Sequence, residues 1–450
     1  VNRELIQRSL EAARDTRELI VEAGALDRVA GLFRAYFPDL RPLVVADEIT
    51  YDVAGQHVQH ELATSELHPL IPYVFAGHPL LKPEYRHVQE IIDQLEENEN
   101  AVPIVVGSGT LNDIVKYAAR EAKRPYIAVG TAASMDGYTS SGAAMLLDGY
   151  KKSVRCEGPA LVVADTDVLR NAPLEMTAAG YGDLIAKIPA GVDWIIADQL
   201  GKEPIDRRVW DLVQPHVRDW TRDPDALRRG EAEAFERLFE GLTLTGFTIQ
   251  IYDDSRPASG SEHFFSHIWE MEHLSRGDVP VSHGFKVAVG SLATTAMAER
   301  VFARDLTQED VERAVAGLPG RPQREREVQQ AFGGTPAEEQ VSHVSLEKLP
   351  DAATLRARLE ALLPQWETLR ERVRAQALPF DELKHALRAA GCPSEPEHIG
   401  LTRERLRASF ARAQMIRDRY SVLDLAYDLG WFSECVREIF ASNTYFGSPR

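Results

Sequence analysis

The stretch Ala101–Arg120, AVPIVVGSGTLNDIVKYAAR, decides how the chain is read. It is a short apolar run, a glycine pair and a helical pattern, in that order, which predicts a buried strand, a tight turn and a helix. Gly107 and Gly109 let the backbone turn sharply and let a ligand come close to it. The N–H groups at the helix start, near Thr110, Leu111, Asn112 and Asp113, favour a phosphate. The third glycine of the dinucleotide fingerprint is replaced by Asn112. Gly-x-Gly alone is therefore read equally well as an ordinary turn.

The same alternation extends to both sides. RPLVVADEITYD and HPLIPYVFAG upstream, and RPYIAVGTAAS and GPALVVADTDVL downstream, read as strands. Glu84–Asn98 carries Val88, Ile91, Ile92 and Leu95 on one helical face, with Pro83 near its start. Strands alternating with helices predict a Rossmann-like parallel sheet. Asp47 ends the first strand, where it can meet a ribose hydroxyl. The turn GTAASMDGYTSS follows the strand after the glycine turn and offers Thr131, Ser134, Asp136 and Ser140. Each of these residues is also an ordinary helix-capping type, but two such turns at the ends of adjacent strands fit a nucleotide site in an open sheet.

After Leu169 the texture becomes helical. The reading is an α/β domain over 1–169 and an all-α domain over 170–450, with the cleft between them as the default ligand site. Residues 251–260 read as a loop. The polar, Gly/Pro-punctuated stretch 317–340 reads as an exposed excursion.

Bulk properties narrow the function. A chain of 450 residues is too long for one core. A formal charge of −18 argues against nucleic acid or an anionic membrane as partner, so an anionic substrate needs a local site. Cys156, Cys392 and Cys435 form no disulfide or zinc spacing, and a reducing cytoplasm is the expected location. The N-terminus is charged at helical spacing without an apolar signal core, and no apolar run reaches membrane-spanning length.

The stretch SGSEHFFSHIWEMEHLSRGDVPVSHGFKVAVG, Ser259–Gly290, is rich in imidazole. His263 and His267 share one helical face, and His283 precedes a glycine. His273 reads as a solvated helix end. Metal ligation and hydrogen-bonded core histidines are evenly matched readings on this pattern alone. The acidic partner would be Asp183 in AAGYGDLIAK, where Gly180 and Gly182 give close access. Its plainer readings are a local cap or a pair with Lys187.

The motifs GSGTLND, TAASMDGYTSSGA, AAGYGDLIAK, SRPASGSEHFFSH and SHGFK together resemble the sn-glycerol-1-phosphate dehydrogenases, especially the bacterial branch. That family lies in the superfamily of iron-containing alcohol dehydrogenases, glycerol dehydrogenase and dehydroquinate synthase. The likeness runs from about Leu43 to Ala298 and is weakest over the last hundred residues. It implies a dehydroquinate synthase-like fold and reduction of dihydroxyacetone phosphate with NAD or NADP. It implies one divalent metal (zinc, nickel or iron) on Asp183, His263 and His283. It places Gly109–Asp113, Thr131, Ala132, Ala133, Ser134 and Ser140 at the cofactor and Asp47 near its ribose. Asp136, Asp183 and His267 would contact substrate, with His267 as the proton relay, since an ordinary imidazole titrates near neutrality. Relatives assemble as dimers or larger, so a homo-oligomer is expected.

One departure stands out. Relatives often have an acidic residue two places after the glycine-flanked histidine, where this chain has Phe285, so a carboxylate that would orient His283 is missing. Lys187, Arg256 and Lys286 lie near the motifs as candidates for the substrate phosphate. A dehydrogenase for an uncharged polyol, a sugar-phosphate cyclase and a non-catalytic metal-dependent scaffold are the rival readings.

Overall fold

The computed structural model describes residues 1–147 and 150–447. The chain forms two compact units, one from residues 1–185 and 208–258, the other from 186–207 and 259–450.

The first unit is built on a six-stranded sheet in the order β1-β8-β5-β4-β2-β3, with every pairing parallel. The strands are β1 Glu18–Glu22, β2 Arg41–Asp47, β3 Tyr73–Phe75, β4 Ala101–Gly107, β5 Ile127–Gly130 and β8 Leu161–Asp165. β6 Gly142–Leu147 and β7 Tyr150–Arg155 form a separate antiparallel pair. All seven residues of β4 are buried, as a central parallel strand requires. Alternate residues Val102, Ile104 and Val106, with Ile127, Val129, Leu161 and Val163, face one core shared with Phe33, Val58 and Leu62. The helices Tyr85–Glu97 and Gly109–Ala122 pack on each other and on β4.

Each stretch read as a strand contains one, at 41–47, 73–75, 101–107, 127–130 and 161–165. β1 departs from the reading of the N-terminus as helical. The helix stops at Ala12, and Leu19 and Val21 alternate into the core beside β8. A single cut at 169/170 also departs from the observed division. The helix Ala232–Tyr252 belongs with the sheet, because it packs on β1 and is fastened to the turn after β5. There the Thr139 hydroxyl donates to Thr243 O over 2.6 Å. A side chain at Gly246 would lie 2.1 Å from Thr139 Oγ1, so only glycine lets the two backbones approach.

The second unit is helical apart from a two-residue strand pair at 275–276 and 279–280. Its centre is the helix Ser261–Met271 packed on the helix His283–Phe302. A Cβ on Gly290 would lie 2.3 Å from Glu262 O, so this glycine sets how closely the two helices approach. The helix Arg403–Met415 closes over Phe265 and Trp269. No helix among the described residues is long and apolar enough to cross a membrane.

The stretch 317–340 is a correction. It holds most of the helix Arg321–Phe332 and the start of the helix Glu338–Lys348. Val328, Phe332 and Val341 join Met415 in a small buried cluster. Arg324 is buried, 3.1 Å from Glu327 and 4.7 Å above the Tyr427 ring. Three apolar residues spaced among so many charges do not show a helical stripe, yet they suffice once a neighbour covers them. Phe332→Ala should cost about 3 kcal/mol locally. Amide hydrogen exchange across 321–348 should then run roughly a hundredfold faster; a truly exposed excursion would show no change.

Candidate active site

The glycine turn and the second polar turn lie where the sequence places them. Gly107 and Gly130 are register partners at the carboxyl ends of β4 and β5, and Asp47 ends β2 on the other side of β4. The two glycines of the turn serve different purposes. A Cβ on Gly107 would meet Leu111 at 2.5 Å, so the packing of the turn itself requires glycine there. A Cβ on Gly109 would only reach Met135 at 3.6 Å, an ordinary contact, and φ is not positive there. Nothing in the protein demands glycine at 109, which leaves room for a ligand to approach. The helix begins at Gly109 without a side-chain cap on its first N–H groups, the condition under which a helix start receives an anion. Asn112 is fully buried, and its Oδ1 has no hydrogen-bond partner among the described residues. Asp47 is committed in part: Oδ1 accepts the Thr50 N–H at 2.7 Å and the Thr50 hydroxyl at 3.0 Å, capping the next helix.

The second turn is held from below by a residue that spacing does not reveal. Lys116, on the glycine-turn helix, is fully buried. Its ammonium donates to the carbonyls of Gly137 (2.6 Å), Ser140 (2.9 Å) and Gly142 (3.0 Å). Three donors meet three carbonyls, which is what makes a buried lysine tolerable. Burial pushes its pKa down from the ordinary lysine value. Ser140 is turned into the same cage, its hydroxyl donating to Gly137 O at 3.1 Å. Thr131, Ala132 and Ala133 are buried, and Ser134 is half-buried at the head of the turn. Asp136 presents its N–H to Asp183 Oδ2 at 3.1 Å. Asp183 is fully buried on the helix Leu174–Ile185. Gly180 brings that helix against the turn, since a Cβ there would lie 1.9 Å from Ala133 O.

In the helical unit, His263 and His283 come together with ring centroids 5.3 Å apart. Each Nδ1 faces a carboxylate: His263 lies 2.8 Å from Glu262 Oε1 and His283 lies 2.7 Å from Glu270 Oε1. A carboxylate facing Nδ1 accepts a hydrogen bond from Nδ1–H, which keeps the ring hydrogen on that side and leaves the lone pair on Nε2, the tautomer a cation needs. The carboxylate missing after the glycine is therefore supplied from the neighbouring helix. The expectation that His283 lacks an orienting acid is overturned by Glu270. Glu262 is itself held by the Gly260 N–H at 2.6 Å. Nearby Asp193 accepts the N–H groups of Ser261 (2.6 Å) and Val422 (2.7 Å). Burial, then the charge of Glu262, pushes Asp193 up to about 7.

His267 is half-buried, its ring centroid 6.2 Å from that of His263. Arg417 Nη2 lies 3.4 Å from its Nδ1. Burial, then the charge of Arg417, holds the imidazole well below its ordinary pKa. The expectation of titration near neutrality is corrected: the ring is neutral there, accepts from Arg417 at Nδ1 and carries its hydrogen on Nε2.

Comparison with known proteins fits this arrangement. Residues 20–173 match the family model described as iron-containing alcohol dehydrogenase. The glycerol-1-phosphate dehydrogenase [NAD(P)+] of Bacillus velezensis is 30% identical over 387 residues, 85% of this chain and 84% of that protein. The chain belongs to the glycerol-1-phosphate dehydrogenase family. The enzyme of the same name from Geobacillus thermodenitrificans is 32% identical over 63% of this chain and 70% of its own length. Among solved structures, glycerol dehydrogenase of Schizosaccharomyces pombe superposes with a TM-score of 0.57 at 15% identity. It covers 97% of this chain and 94% of its own, a likeness of fold.

Within this member of the family, four contributors escaped the sequence reading: Lys116, Glu262, Glu270 and Arg417. Glu262 had a usable signal, an acid directly before a candidate ligand. Lys116 had a fainter one, a charge one residue after the apolar pair Ile114 and Val115 on an otherwise buried helical face. Glu270 and Arg417 had none. Lys116→Met should remove the donor from the buried Ser140 carbonyl and leave those of Gly137 and Gly142 to share the Ser140 hydroxyl. A loss of about 1–3 kcal/mol is expected, the cost of an unmet buried polar group. A lowered urea midpoint would show it, and an unchanged midpoint would mean that the cage is not needed.

Proposed function

We propose that this protein interconverts dihydroxyacetone phosphate and sn-glycerol 1-phosphate with NAD or NADP, using one divalent metal held by Asp183, His263 and His283. The observation that carries the reading is the pair of imidazoles in the helical unit, each with a carboxylate on Nδ1 and its lone pair on Nε2. A purely structural histidine pair has no need of two buried acids that set the same tautomer. The names of the curated relatives support the substrate and the cofactor. Zinc, nickel and iron all suit two imidazoles and a carboxylate.

The residues divide the work as follows. The uncapped N–H groups of Gly109, Thr110 and Leu111 receive the pyrophosphate of the nucleotide, with Asn112 and Asp113 beside them, and Gly109 lets it approach the backbone. Thr131, Ala132, Ala133 and Ser134 line it. Ser140, locked into the Lys116 cage, shapes that wall from behind. Asp47 Oδ2 faces the ribose while Oδ1 caps its helix. Asp136 fixes one oxygen of Asp183 through its N–H and borders the substrate. When bound, the metal supplies Lewis acidity to the ketone oxygen and the nicotinamide supplies or takes the hydride. His267, neutral and hydrogenated on Nε2, donates a hydrogen bond to the substrate oxygen and orients it, while the proton taken up on turnover comes from solvent. A homo-oligomer remains part of the proposal.

The deciding assay loads the protein with zinc, nickel or iron(II) and follows NADH and NADPH oxidation with two ketones. Faster oxidation with dihydroxyacetone phosphate than with dihydroxyacetone is expected. Equal rates would select a polyol dehydrogenase, and no oxidation with either would select a cyclase or a scaffold. Glu270→Gln tests the carboxylate behind His283. Loss of an orienting acid typically lowers metal affinity about 10–100-fold. Chelator competition should show that drop with the fold intact, and unchanged affinity would separate Glu270 from metal binding.

A further inference from the structure

We propose that Asp27, His57 and Glu61 form a divalent-metal site in the α/β unit, one that takes an ion of the zinc or nickel type and ties the turn after β1 to the helix after β2. The inference stands apart from the reaction proposed above. All three residues lie in the first unit, and none is among the residues given to cofactor, substrate or catalytic metal.

One ligating atom from each residue lies within 4.8 Å of those of the other two. His57 and Glu61 are four apart on the helix Gln56–Thr64, so they stand on one face of it. Asp27 comes from the short turn Ala25–Arg28. Two ligands of a tetrahedral zinc stand about 3.4 Å apart, given bonds of about 2.1 Å. Asp27 and His57 are exposed and Glu61 is half-buried, so small side-chain rotations close that gap. The backbone beneath them is fixed. Ala25 and Leu26 on the turn and Val58 and Leu62 on the helix are buried in one core. The Leu26 N–H donates to Asp165 Oδ2 at 3.2 Å, which pins the turn to the end of β8. Each candidate ligand is therefore the chain neighbour of a core residue, on a backbone that holds its position.

The charges call for a cation. Asp27 and Glu61 bring two carboxylates to one point of a chain with a net charge of −18. Among the described residues no lysine or arginine pairs with either of them. Asp27 meets only His57, whose Nε2 lies 2.7 Å from Oδ1. A neutral imidazole offers that acid a hydrogen bond and no charge. A divalent ion held by His57 and one oxygen from each acid neutralises both carboxylates. Imidazole in the donor set favours a first-row transition ion over magnesium or calcium, which prefer oxygen alone. A depression of about 330 Å³ has Asp27 and His57 in its wall and gives water access to complete the coordination. His343 and Glu347 provide the contrast. They share the four-residue spacing, 3.4 Å apart on the helix Glu338–Lys348, yet no third ligating group joins them among the described residues.

The test strips tag-free protein of metal with a chelator and dialyses it against zinc alone. Bound zinc per chain is measured for wild type, His57→Gln, Asp27→Asn and His343→Gln. His57→Gln and Asp27→Asn should each hold about one zinc fewer than wild type, and His343→Gln should match wild type. The readout is the difference, so it stands whether or not Asp183, His263 and His283 take an ion of their own. Zinc should also slow amide exchange across 25–28 and 56–64 about tenfold or more in wild type and have no such effect in His57→Gln. Equal zinc in wild type and His57→Gln would overturn the proposal, as would exchange across both segments that zinc leaves unchanged. An equal loss of zinc in His343→Gln would overturn it too, since exposed imidazoles would then be binding singly. Displacement of the zinc by excess magnesium would overturn the choice of ion.

Discussion

Two carboxylates, Glu262 and Glu270, set the chemistry of the helical unit. A histidine can offer a lone pair from either nitrogen, and only a fixed partner on one side decides which. Here both partners are on the helix Ser261–Met271: Glu262 beside His263 in sequence, Glu270 reaching the first residue of the next helix. That arrangement works only if the two helices stay close, and Gly290 permits this by presenting no side chain to Glu262 O. Packing, tautomer and lone-pair direction are thus one constraint. A larger residue at 290 would disturb the imidazoles without touching either of them.

The α/β unit solves a related problem with the opposite charge. An open parallel sheet exposes its carboxyl edge to whatever binds there, and the turns along that edge need support that does not occupy the edge itself. Lys116 provides it from inside. Its ammonium takes three carbonyls of the turn after β5, while the same helix presents uncapped N–H groups at its start. One helix therefore organises both turns, through its first turn and through a residue two turns further on. Asp136, on the supported turn, passes the order on to Asp183.

Charge is used sparingly and locally. The protein is strongly acidic, yet it buries a lysine among carbonyls, backs two histidines with acids and places an arginine beside a third histidine. That arginine, with burial, keeps His267 neutral. Sequence spacing alone gives His267 an ordinary imidazole; its neighbours make it a hydrogen-bond donor with no charge of its own.

What the sequence by itself determined is what local pattern encodes. Buried parallel strands are short apolar runs, and turns between strand and helix are marked by glycine, so β2, β4, β5 and β8 and the glycine turn were legible from periodicity and length. The histidines and Asp183 were legible as residue types in family motifs. Tertiary structure decided which acid meets which imidazole and which cation stands beside it. Glu270 and His283 are 13 positions apart, Lys116 and Gly137 are 21, and Arg417 and His267 are 150. Those pairs come from helix crossings and strand connections, and no spacing rule along one helix or strand reaches that far. The same reason explains the stretch 317–340, where Val328 and Phe332, with Val341 just beyond it, become a core only when Met415 lies across them.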